Sequence, residues 1–76
     1  MPRLTPQHWK TLVRAFASLG FEWVRTKGSH IVMSKPGVAR PLVIPKESSV
    51  RVAVIESNLR TAGVSARDFL EVLARI

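Results

Sequence analysis

Two glycine-bearing turns set the strongest limit on how this chain folds. Lys27-Gly28-Ser29 and Lys35-Pro36-Gly37 separate three short runs, residues 21–26, 30–34 and 40–45. The runs are rich in β-branched and other apolar residues, and they read as strands. Pro followed by Gly suits the two central positions of a type II turn. Links this short cannot carry a crossover, so consecutive strands pair antiparallel in a three-stranded meander. Period two puts His30, Val32 and Ser34 on one face of the middle strand, with Ile31 and Met33 on the other. Pro41 and Pro45 cannot donate to a ladder, which predicts an edge strand or irregular ends for the third run.

Such a sheet needs cover on one face, and the flanking segments can supply it. Thr5 as N-cap and Pro6 at the first helical position open a helix. Trp9, Leu12, Val13, Phe16 and Leu19 then fall on one helical face, and Gly20 is a natural stop. This predicts a first helix over 6–19. The stretch 50–54 alternates like a strand. Over a longer window Val52, Ile55, Leu59 and Ala62 keep helical spacing and Gly63 closes the run, which favours a second helix. Ser65, with Asp68 three residues on, opens a third helix whose inner face is Phe69, Val72, Leu73 and Ile76. The expectation is a single α+β domain over 1–76, in the order α-β-β-β-α-α. Its antiparallel sheet is covered on one face, with the first two helices as the cover.

A domain of 76 residues buries only about 60% of its unfolded surface, so its core is small. No apolar run approaches the roughly 20 residues needed to span a bilayer. The first residues lack the apolar centre of a signal peptide. Without cysteine there is no disulfide framework and no thiolate metal site, and two isolated histidines show no metal-ligand spacing. A cytoplasmic protein without metal, cofactor or membrane contact is expected. Twelve Lys and Arg against five Asp and Glu give a net charge of +7, which draws in anions. The cations are spread singly, so they suit a folded basic face rather than a basic tail or a membrane-surface patch.

The stretch that could carry chemistry is 25–34. His30 follows the Gly28-Ser29 turn, with Lys27 three residues before it and Arg25 five before. Histidine is the common side chain that exchanges a proton near neutral pH without special help. RNA cleavage without metal needs a base for the 2′-hydroxyl, an acid for the leaving 5′-oxygen, and cations for the phosphoryl oxygens. His30 could be the base or the acid. Arg25 and Lys27 could neutralise phosphate, and the amides of Gly28 and Ser29 could hold one of its oxygens. Lys35, Arg40 and Lys46 are further candidates to track RNA phosphates, and a solvated charged rim fits each of them equally well. On these residues alone, an exposed histidine without catalytic duty remains open. Trp9 reads as core, Trp23 as either core or exposed surface, and His8 as a solvated surface residue.

The residues Gly20-Phe21 and Arg25-Thr26-Lys27-Gly28-Ser29-His30 resemble the G-[F/W]-x-x-x-R-x-x-G-S-H signature of the HicA toxin family, the YcfA-like mRNA interferases. The run 40–45 is similar to the family's third strand. Asn58-Leu59-Arg60-Thr61-Ala62-Gly63-Val64-Ser65 resembles its L-R-x-A-G-[L/I/V]-S run, and Asp68-Phe69-Leu70 its acidic-Phe step. The resemblance implies a double-stranded-RNA-binding-like fold and ribosome-independent cleavage of mRNA. It also implies catalysis by His30 and inhibition by a cognate HicB antitoxin. Many members carry another histidine shortly after the third-strand proline, where this chain has Lys46-Glu47, and a Gly-Thr pair where it has 52–55. Two other readings stand beside this one. One is a non-catalytic RNA-binding module of the same fold, and the other is an interaction protein whose basic surface meets an acidic partner.

Overall fold

In a computed structural model, residues 3–76 are described, so the first two residues of the expected domain lie outside the described range. The elements are α1 (Trp9–Ser18), β1 (Glu22–Lys27), β2 (His30–Ser34), β3 (Leu42–Pro45), α2 (Val52–Ala62) and α3 (Ala66–Arg75). The strands form one antiparallel sheet in the order β1-β2-β3. This is the expected α+β meander, with the third run at an edge. α1 and α2 pack on the sheet, and α3 packs on α1 and α2 rather than on the strands.

Alternation along β2 decides which face is covered. Ile31 and Met33 are fully buried with Leu42 and Ile44 of β3, to which they are paired. Leu12 and Phe16 of α1 and Ile55 of α2 close over them, and Phe69 of α3 packs behind on Phe16. Phe16 is the centre of this layer. Its ring centroid lies 5.8 Å from that of Phe21 and 5.0 Å from that of Phe69. Lys35-Pro36-Gly37 is the expected turn, with the Val38 N–H donating to the Lys35 carbonyl at 3.1 Å.

The first helix starts later than its sequence suggests. Gln7 and Val50 exchange two backbone hydrogen bonds, of 3.2 and 2.7 Å, which hold Gln7 extended. Thr5 therefore cannot cap the helix. His8 is the N-cap, and its Nδ1 accepts from the Lys10 N–H at 3.1 Å. The same bridge explains the strand-like pattern at 50–54, since Val50 is bridged and buried while Val52 begins the helix. Gly63 caps α2, and the Ser65 hydroxyl accepts from the Asp68 N–H at 3.1 Å to open α3, both as expected. The strand runs shift slightly. Phe21 is core rather than strand, and β3 begins at Leu42.

The outer edge of β3 is closed by one side chain. Asn58, in the middle of α2 and buried, accepts from the Val43 N–H at 3.2 Å and donates to the Val43 carbonyl at 3.0 Å. Its amide stands in for a neighbouring strand, which satisfies the edge and blocks further pairing there. Asn58→Leu keeps the volume and removes both bonds. It should destabilise the domain by about 1–3 kcal/mol in a urea titration, while Ser57→Ala beside it should have little effect.

Candidate functional site

His30 begins β2 at the tip of the β1–β2 hairpin. Lys27 pairs with His30, leaving Gly28 and Ser29 as a two-residue loop. Gly28 has φ 59° and Ser29 is not in the positive region, as in a type II′ turn. A Cβ on Gly28 would meet nothing within 4 Å, so glycine is needed there for conformation and not for space. Among the described residues no backbone carbonyl accepts from the Gly28 or Ser29 amide, whereas the Ser29 carbonyl accepts from the Lys46 N–H at 2.8 Å. Pro45 is the partner of His30 on the other side.

An irregularity in β1 sets which face of the sheet Trp23 occupies. The register slips between Trp23 and Arg25, with Val24 as the extra residue. Simple alternation would put Trp23 and Arg25 on one face. With the bulge, Trp23 pairs with buried Met33 and Thr26 with buried Ile31, so both lie on the helix-covered face. Arg25 pairs with Val32 and Lys27 with His30, which places both cations on the uncovered face with the imidazole. Bulges commonly re-aim side chains in this way. The uncovered face thus carries Arg25, Lys27 and His30, all exposed, with Val32, Val43 and Pro45 beside them.

The family model for the HicA toxin of bacterial toxin-antitoxin matches residues 9–64, from the first residue of α1 to just past α2. The chain belongs to the HicA toxin family. That membership implies an antitoxin partner. No curated protein matches the chain. The matched segment of this HicA-family toxin contains the whole hairpin and all eight candidate site residues.

The structure gathers only some of those candidates. Arg25, Lys27, Gly28, Ser29 and His30 form one group at the hairpin tip. Lys46 adjoins them through its backbone, but its ammonium lies 5.3 Å from the Trp9 ring centroid. Lys35 is five residues from His30 along the chain, about 16 Å at strand rise. Its Nζ donates to the Leu19 carbonyl at 2.9 Å and stands 5.7 Å from the Phe21 centroid. It therefore closes the end of α1, running so near Gly20 that a Cβ there would come within 3.2 Å of its Cε. Arg40 precedes β3 at the end away from His30. It lines an open groove of about 620 Å³ with Arg51, Ser57 and Thr61, and a smaller one of about 380 Å³ with Arg60.

Among the described residues no three His, Cys, Asp or Glu side chains come together, and no helix is long and apolar enough to cross a membrane. Sequence reasoning missed the capping role of His8, the bulge and the Asn58 clasp. The different duties of the lysines can be separated by experiment. Lys35→Ala should lower the melting temperature measurably, whereas Lys27→Ala, on the open face, should stay within about 0.5 kcal/mol of the parent.

Proposed function

We propose that this toxin is an endoribonuclease that cleaves mRNA without a metal ion, with His30 as general acid or base. The observation that carries the reading is the shared face at the hairpin tip. An exposed imidazole, a guanidinium and an ammonium lie together next to two backbone amides without a backbone partner. A phosphodiester laid there meets donors for its oxygens from Arg25, Lys27, Gly28 and Ser29, and a proton-transfer group at its 2′- or 5′-oxygen. Family membership supports the same reading. The partner that silences such a site is an antitoxin of the HicB type, covering the open face and neutralising its charge.

A second reading, an RNA-binding module without catalysis, is favoured by one observation. The residue after the third-strand proline is Lys46, whose ammonium turns to Trp9, so no second imidazole follows that strand. A cleavage assay separates the two. Wild type in EDTA should cut a long single-stranded RNA and leave 2′,3′-cyclic or 3′-phosphate ends. His30→Ala should be slower by about 10²- to 10⁴-fold. Intact RNA with folded, RNA-binding wild type would favour the binding module, and equal cutting by both proteins would remove His30 from the mechanism.

The cations can be tested apart from the chemistry. In the His30→Ala background, Arg25→Ala and Lys27→Ala should each flatten the dependence of log Kd for single-stranded RNA on log salt by about 0.7. Lys35→Ala, whose ammonium is engaged with α1, should leave that slope unchanged.

A further inference from the structure

Around the edge of the sheet from His30, on the helix-covered side, lies an aromatic cluster that the cleavage site does not use. Trp23 is 47% exposed, yet its ring is held in place. Its Nε1 donates to Thr26 Oγ1 at 3.0 Å, and it meets Trp9 edge-on, with centroids 6.2 Å apart and planes at 88°. A lysine of α1 and one just past β3 converge on Trp9, with Lys10 Nζ at 5.6 Å and Lys46 Nζ at 5.3 Å from the ring centroid. β1 is an edge strand, and among the described residues no further strand lies beyond Trp23.

A fixed, half-exposed indole, next to a second indole that carries two ammonium groups, has the chemistry that takes an unpaired nucleobase. The base stacks on the ring and its flanking phosphates meet the cations. A duplex keeps its bases inside the helix and cannot offer one. The cluster is also joined to the cleavage site. Thr26, which steers Trp23, precedes Lys27, the partner of His30, and Lys46 is bonded through its N–H to the Ser29 carbonyl. We infer that Trp23, held by Thr26 and Trp9, is a stacking subsite for an unpaired base of the RNA strand whose phosphate lies at His30, with Lys10 and Lys46 at the neighbouring Trp9 ring to meet the flanking phosphates. This rests on the cleavage reading above. It makes the toxin selective for single-stranded RNA, with the strand passing over the Gly28-Ser29 tip from one face to the other.

The test is RNA binding by the His30→Ala protein, which holds the strand without cutting it. Replacing Trp23 by Ala in that background should weaken binding of a short unstructured RNA about tenfold. Trp23→Phe should recover most of the loss, and neither change should alter affinity for a duplex of equal length. An abasic nucleotide scanned along the strand should cost as much as Trp23→Ala at one position, and cost nothing more there when Trp23 is already Ala. In Trp9→Phe protein, where Trp23 is the sole indole, the RNA should quench tryptophan emission, which keeps the test valid even if Trp23→Ala unfolds. Unchanged single-strand affinity, an equal loss on duplex, or unquenched Trp23 emission overturns the subsite and leaves the cleavage reading standing. Failure of folded His30→Ala to bind any RNA overturns both.

Discussion

Alternation along the middle strand is the constraint from which the rest follows. β2 has a neighbour on each side and helices on one face, so burying Ile31 and Met33 forces His30 outward. A one-residue slip would exchange the two sets and bury the imidazole. β1 then has to agree with β2, and Val24 makes it agree. The bulge turns Trp23 to the helix side with Thr26, while Arg25 and Lys27, between the bulge and the turn, stay with His30 in solvent. Core packing and site chemistry are two faces of one register.

A domain this small has few residues to spare, and several of them do double duty. Lys35 adds to the net charge and also closes α1 through the Leu19 carbonyl. His8 caps α1 and stacks beside Trp9 at 5.9 Å. Asn58 spends a buried position on hydrogen bonds to Val43, which keeps the exposed edge of β3 from recruiting another strand. α2 thus closes one edge of the sheet, while the face that carries Arg25, Lys27 and His30 stays uncovered.

What was legible in the sequence follows the range of the interactions. The hairpin is local. Glycine at 28 and period two on either side suffice to bring Arg25, Lys27, Gly28, Ser29 and His30 to one tip. The third helix was legible for the same reason, since Ser65 and Asp68 cap it within three residues. The start of α1 was not, because the Gln7–Val50 bridge that holds Gln7 extended joins positions 43 residues apart. Val24 looks like an ordinary strand residue, and only pairing with β2 reveals it as the extra one. Asn58 bonds backbone 15 residues away, and nothing in its own segment signals that. Lys35, Arg40 and Lys46 looked alike as isolated cations, yet tertiary contacts send one to a helix end, one to a groove beside α2 and one to Trp9.

The central claim is that RNA is held at the hairpin tip on the open face of the sheet. Amide chemical-shift mapping of folded His30→Ala protein titrated with a single-stranded RNA tests it most directly. The largest shifts should fall on residues 25–30 and on Lys46, and they should weaken with added salt. Shifts confined to the two grooves lined by Arg40, Arg51 and Arg60, with the tip unmoved, would contradict it.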